Sequence, residues 1–335
     1  MKADDLALRI KGKKLIGYGA TQAYLSLREV TDLPFAYLVD DTPGLAGKNL
    51  GGVPIFSRER LGQEDPDSIF IVVCAFRPRS TVAMSERLRQ MGFVSGQHFQ
   101  DCSPIFFNTI GTRIGARLGV KADWDLFTKV RSLCLNSASA NLSTPAGTWL
   151  FIQLLDSLAA STVGDVAECG VYQGQNAFTS CLLSKTLGQR DYHLMDSFAG
   201  FGEYAEWEPE ERRDEFKDVD FAKIGELFDG FARVHLHRGY FRDTLPLLTE
   251  KSYAMVYLDA DVYEPTVQCC EYFWPRLSSG GYLLCHDYWL SSIPPPVGGK
   301  RDFVGANKAI NEFFADKLDQ LIVFPETTHV LVRKP

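Results

Sequence analysis

The 335-residue sequence predicts an α/β protein made of two Rossmann-like units, a smaller one followed by a larger one. Short apolar runs rich in Val, Leu, Ile and Tyr alternate with helix-length stretches in two series, Lys13 to Met91 and Gly164 to Tyr288. That is the pattern of parallel strands joined by crossover helices. The last two runs, YAMVYLDADVY (Tyr253 to Tyr263) and GGYLLCHDY (Gly280 to Tyr288), each end in carboxylates, Asp259 and Asp261 in one, Asp287 beside His286 in the other. Ligands of open α/β sheets sit beyond the carboxyl ends of the strands. This edge is therefore a candidate site for a divalent metal or a general base. One Asp after a strand is usually a helix cap or a turn residue, but that reading does not account for four such groups on two adjacent strand ends.

Composition narrows the function. A content of 45% hydrophobic and 23% charged residues is that of an ordinary globular protein. The net charge of −7 argues against a broad nucleic-acid or anionic-membrane surface and favours a small-molecule enzyme. No apolar run reaches the roughly twenty residues of a membrane span, and MKADDLALRIKGKK lacks the apolar core of a signal peptide, so a cytoplasmic protein is expected. The eight cysteines form no C-x-x-C pair and read as reduced, buried small hydrophobes.

The elements follow in order. In residues 1–102, Lys13 to Gly17 reads as a strand entering the turn Gly17-Tyr18-Gly19-Ala20. A helical stretch runs to Val30, strands follow at Phe35 to Val39 and Ile69 to Ala75, and a helix at Thr81 to Met91. Glycines at a strand-to-helix turn with the acidic pair Asp40-Asp41 about twenty residues on are the parts of a dinucleotide site, although the third glycine is missing. Nucleotide-type binding and a docking or homo-oligomerisation role both remain open for this unit. Residues 103–145 read as a helical connector with Trp124, Phe127, Val130 and Leu133 at helical spacing. In residues 146–335, a helix over Thr144 to Ala160 with Pro145 at its first position leads into the second series.

That series carries the candidate site. Glu168, Gly170 and Gly174 form an E-x-G-x-x-x-G turn, in which glycine leaves no Cβ to hold off a ligand and which suits the amino-acid end of a cofactor. Asp196 ends the next strand, where its two carboxylate oxygens can accept both ribose hydroxyls, or else cap a helix. Gly239-Tyr240-Phe241 lies where an adenine would be sandwiched, unless these rings belong to the core. The acidic stretch Glu203 to Asp220 reads as a lid or a solvated face, and Ser291 to Arg301, rich in Pro and Gly, as a further wall.

From about Trp124 onward the chain resembles the macrocin O-methyltransferase family of S-adenosylmethionine-dependent sugar methyltransferases. The matching segments are AECGVYQGQNA, MDSFAGFGE, GYFRDTLP, LDADVYEPT, GGYLLCHDY and GANKAINEF, and LIVFPETTHVLVRK matches the terminal antiparallel hairpin of a class I methyltransferase sheet. The first unit is similar to Rossmann-like modules on some sugar-modifying enzymes, on the segment VDDTPGLAGKNLGGVPIF. The resemblance implies S-adenosyl-L-methionine as cofactor, with Glu168, Gly170 and Gly174 along its methionine part, Asp196 on the ribose, and Ser197 and Phe198 shaping that pocket. It implies a metal held at Asp259, His286 and Asp287, Asp261 as general base, and a sugar or glycoside as acceptor. The family has Asp where this chain has His286. Imidazole suits manganese, iron or zinc better than magnesium, so either another divalent cation is used or His286 itself supplies the base or a hydrogen bond. The alternative is a nucleotide-sugar or NAD-binding oxidoreductase working through the N-terminal glycine turn.

Overall fold

The computed structural model describes residues 8–136, 144–248, 251–288 and 304–335. Its first sheet contains β1 (Lys14–Tyr18), β2 (Phe35–Asp40), β3 (Asn49–Leu50), β4 (Val53–Ser57), β5 (Ile69–Val73) and β6 (Phe99–Asp101), in the order β3-β4-β2-β1-β5-β6. Helices α1 (Gln22–Val30) and α2 (Pro78–Gln90) belong to this part of the chain. Every residue of β5 is buried, as a strand covered on both faces requires. Strands β3, β4 and β6 go beyond the sequence reading. β6 is three residues long, and the Pro54 of β4 reads as a strand breaker, which is tolerated here beside the sheet edge.

Helices α3 (Ser103–Leu118), α4 (Trp124–Asn136) and α5 (Pro145–Asp156) join the two sheets. Thr144 caps α5, its hydroxyl accepting from the Gly147 N–H at 3.1 Å, with Pro145 next to it. The helix is shorter than the sequence suggests and is buried on nearly all sides rather than amphipathic, because α3, α4 and the following helix surround it. Phe107 stacks on Phe127 with ring centroids 3.8 Å apart and meets Trp149 edge-on. The same apolar layer covers one face of the second sheet.

The second sheet contains β7 (Asp165–Cys169), β8 (Tyr192–Asp196), β9 (Val234–Arg238), β10 (Tyr253–Leu258), β11 (Leu277–Cys285), β12 (Ile322–Phe324) and β13 (His329–Arg333). Its order is β12-β13-β11-β10-β7-β8-β9, parallel except for β13, which runs antiparallel to both β11 and β12. Helices α6 (Gln175–Leu183), α7 (Phe221–Phe228), α8 (Phe241–Thr244), α9 (Tyr263–Arg276) and α10 (Val304–Phe313) complete this part. The topology is that of a class I methyltransferase, and its direction of winding reverses between β7 and β10, where α/β sheets open a ligand crevice. Among the described residues no helix is long and apolar enough to cross a membrane.

Candidate active site

Backbone strain marks the crevice. Among the described residues the non-glycine positions with positive φ are Tyr172, Phe198, Phe216, Asp261, Asp287 and Thr328. All but Phe198 line a single cavity of about 280 Å³ at the carboxyl edge of the second sheet. Left-handed backbone in residues other than glycine costs on the order of 1 kcal/mol or more each and gathers at functional sites. The cavity is also strongly acidic: Glu168, Asp196, Glu203, Asp259, Asp261 and Asp287 face it, against Arg77, Arg242 and His286.

Most of the residues singled out in the sequence meet there. Glu168, at the end of β7, is 1% exposed, and its carboxyl group accepts from Asn176 Nδ2 at 3.1 Å and from the Tyr192 hydroxyl. Burial raises its pKa to about 8, above what those two hydrogen bonds can offset. Asp196 Oδ2 accepts from the Val171 and Tyr172 N–H groups, both at 2.8 Å, and Oδ1 from the Phe198 N–H at 2.7 Å. It thus ties the turn after β7 to the turn after β8, in addition to any ligand contact. Burial raises its pKa against those three backbone donors. Ser197 donates to the Gly200 carbonyl at 2.7 Å, and the Tyr240 ring lies so close to Gly202 that a Cβ there would fall 2.4 Å from it.

Three of the residues singled out also have packing partners of their own. Gly170 lines the cavity, and with φ +90° it lacks a Cβ because that atom would fall 1.8 Å from the Asp259 carbonyl oxygen, so close strand packing by itself already demands glycine here. Gly174 (φ +78°) starts α6, and a Cβ on it would crowd Leu227 and Phe228 rather than the cavity. The Phe198 ring is buried in the core beside Phe221 at 5.0 Å, and its backbone N–H is the donor to Asp196. The Ser291 to Arg301 wall lies outside the described residues.

The polar centre joins the ends of β10 and β11. His286 Nδ1 is 2.8 Å from Asp259 Oδ1 and 3.4 Å from Asp287 Oδ1. The Thr328 hydroxyl donates to the Thr327 carbonyl at 2.7 Å, so its oxygen accepts from His286 Nε2–H at 3.0 Å. Nε2 is therefore committed as a donor, and Nδ1 is the nitrogen presented to the carboxylates. Burial alone would lower the His286 pKa; the charges of Asp259 and Asp287 overcome it and raise it to about 9. Asp261 lies beyond the end of β10 with φ +62°, so strand alternation does not set its direction, yet it faces the same cavity. Burial first, then the charges of Asp259 and Asp287, raise its pKa well above the ordinary carboxyl range, and it hydrogen-bonds Asp287.

This donor set has the residue types that could hold a divalent cation. Ligand atoms of Asp259, His286 and Asp287 all lie within 4.8 Å of one another. A histidine whose other ring N–H is held by an outer partner, as Thr328 holds His286, is the usual arrangement of a metal-binding imidazole. The acidic lining likewise suits a cationic sulfonium donor.

Sequence reasoning missed Arg77, Thr144 and Thr328, which also line the cavity. Arg77 precedes α2 and comes from the first sheet; its charge is felt at His286. The turn after β1 offers less to a ligand. Asp40 is spent on the Ala20 and Thr42 N–H groups at 2.7 and 2.8 Å, Asp41 on the Tyr18 hydroxyl, Arg58 and Arg87, and a Cβ at Gly19 would meet the Cys74 carbonyl at 2.8 Å.

Residues 152–314 match the family model described as Macrocin-O-methyltransferase (TylF). The chain is 29% identical over 168 residues to 8-demethyl-8-(2,3-dimethoxy-alpha-L-rhamnosyl)-tetracenomycin-C 4'-O-methyltransferase of Streptomyces olivaceus, an alignment covering 46% of this chain and 64% of that protein. It is 27% identical over 167 residues to Mycinamicin III 3''-O-methyltransferase of Micromonospora griseorubida, covering 44% of this chain and 65% of the relative. The chain thus spans slightly less than two thirds of these relatives' own length. Among solved structures, the O-methyltransferase NovP aligns with 69% of this chain and 99% of its own at 20% identity and a TM-score of 0.48. Through residues 152–314, just under half of its length, the chain is similar to the macrocin O-methyltransferase family.

Proposed function

We propose that the chain is an S-adenosylmethionine-dependent O-methyltransferase acting on a sugar hydroxyl of a glycosylated natural product or a polysaccharide precursor. The observation that carries this is the convergence of Glu168, Asp196, Asp259, Asp261, His286 and Asp287 on one strained, acidic cavity at the switch point of the sheet. The names of the two relatives, both O-methyltransferases and the first of a rhamnosyl-bearing compound, support the same reading.

A sulfonium methyl is already activated, so the barrier lies in making the alcohol nucleophilic and aligning it with the departing sulfur. Glu168 and Asp196, with the turn that Asp196 ties down, would seat the donor, their charge offsetting its own. Asp261 would take the acceptor hydroxyl proton. Burial and the neighbouring carboxylates raise the pKa of that carboxyl in the free protein, and a cationic donor beside it lowers its proton affinity. Asp259, His286 and Asp287 would hold a divalent cation, which when bound lowers the pKa of an alcohol oxygen beside it. The N/O donor set suits manganese, iron or zinc better than magnesium. With no ion bound, the proton on Nδ1 gives His286 a positive charge between the same two carboxylates. Arg77 would stand at the acceptor end of the cavity.

The oxidoreductase reading has less support, since the family match and the acidic cavity both fall on the second sheet rather than on the Gly19 turn. The test is transfer of a labelled methyl group from S-adenosylmethionine to a panel of glycosides and nucleotide sugars, with EDTA and with added Mn²⁺. Transfer to a sugar oxygen is the expected result. Absence of transfer to every acceptor together with binding of NAD would reverse the ranking.

A further inference from the structure

We propose that Glu208 is a positioning residue for the methyl transfer proposed above: its carboxylate clamps the turn that carries Asp261. The problem it solves is local. Helix α9 begins directly after this turn, and the residue at its cap position is Val262, which has no side-chain acceptor for the helix's first N–H groups. Glu208, more than fifty residues earlier in the chain, supplies one. Its Oε1 accepts from the Tyr263 N–H at 3.1 Å and its Oε2 from the Ala205 N–H at 3.0 Å. The side chain is 4% exposed, and its negative charge sits at the positive end of the helix.

A third segment closes the clamp. Gly305 in α10 lies against this carboxylate so closely that a Cβ would fall 1.9 Å from Oε1, and the next residue, Ala306, donates its N–H to the Asp261 carbonyl at 3.2 Å. Next to it, Trp207 meets Tyr263 edge-on, and the Lys308 ammonium lies 4.3 Å from the Trp207 ring centre. The acidic stretch, the catalytic turn and α10 are therefore joined at one buried carboxylate, and Asp261 is held in its left-handed conformation between them.

The test is hydrogen–deuterium exchange on the full chain, with turnover and S-adenosylhomocysteine affinity measured on the same samples. In Glu208→Ala, amides of residues 259–266 should exchange roughly tenfold faster or more, the loss of one buried charge-assisted hydrogen bond, while β7 and β8 keep their protection. kcat should fall at least as much, with S-adenosylhomocysteine affinity unchanged. Glu208→Gln keeps one acceptor oxygen and should recover part of both effects. Gly305→Ala, whose Cβ would fall 1.9 Å from Oε1 and 2.6 Å from the Tyr263 nitrogen, strikes the same hydrogen bond and should reproduce the local loss without altering Glu208. Unchanged exchange at 259–266, an even loss of protection over the whole chain, or faster local exchange with normal kcat would each overturn the proposal. A wild-type chain that transfers no methyl group would instead overturn the functional reading, and the exchange pattern would still decide the clamp.

Discussion

Replacing Glu168 by Gln separates the cost of the site from its use. The carboxyl group is 1% exposed and its pKa stands at about 8, against an ordinary value of 4.5. The folded protein thus binds this proton more tightly than the unfolded chain, so folding is favoured at low pH and loses stability as pH rises from the ordinary value through about 8. Between 4.5 and about 8, at about 1.36 kcal/mol per pH unit, the carboxyl costs roughly 1 kcal/mol of stability at pH 5 and roughly 4 kcal/mol at pH 8. Gln keeps the acceptor oxygen for Asn176 and Tyr192 and cannot ionise. Urea unfolding should therefore find Glu168→Gln close to wild type at pH 5 and markedly more stable at pH 8. Calorimetry should find that the variant binds S-adenosylmethionine more weakly and that the wild type releases protons on binding the cation at pH 7. A stability difference that is the same at both pH values would refute the reasoning.

Asp261→Asn should lower kcat by roughly 10²-fold or more, the usual share of a general base, with S-adenosylhomocysteine affinity nearly unchanged; normal turnover would remove Asp261 from that role. Because the Asp261 pKa is raised, kcat/KM should climb with pH along a limb well above the ordinary carboxyl range. The positive charge of His286 is fully present below its ordinary value of 6.5 and is lost as pH passes about 9, so Mn²⁺, measured by its electron paramagnetic resonance, should bind more tightly as pH rises toward that value. Affinity independent of pH, or unaffected by His286→Ala, would exclude this site. Arg77→Ala should raise the acceptor KM roughly tenfold, the worth of one charged hydrogen bond, without changing S-adenosylhomocysteine binding. Gly170→Ala should destabilise the fold by at least about 3 kcal/mol in chemical denaturation, since both φ and the Asp259 carbonyl oppose a Cβ.

What was legible in the sequence follows the range of the forces involved. The carboxylates and the histidine that end β10 and β11 could be found because a buried parallel strand is a continuous apolar run and its end is where polarity returns. Asp196 was found the same way, but its three backbone donors were not, since they depend on the neighbouring turn. Gly170, Gly174 and Phe198 also answer to strand packing, a helix start and the core; a motif records that a residue type is needed without recording every neighbour that needs it. Arg77 and Glu208 carried no signal. One reaches the cavity from the other sheet and the other is hidden in a charged stretch, and only tertiary packing gives either of them its partner. β4 escaped notice because of its proline and β6 because of its length.

The most direct measurement is a crystal structure of the protein grown with S-adenosylhomocysteine. The account predicts the thioether sulfur above the Gly170 turn, facing the Asp261 carboxyl, with the ribose beside Asp196 and the adenine near Tyr240. Density for the ligand at the Gly19 turn of the first sheet, or a sulfur pointing away from the ends of β10 and β11, would contradict it.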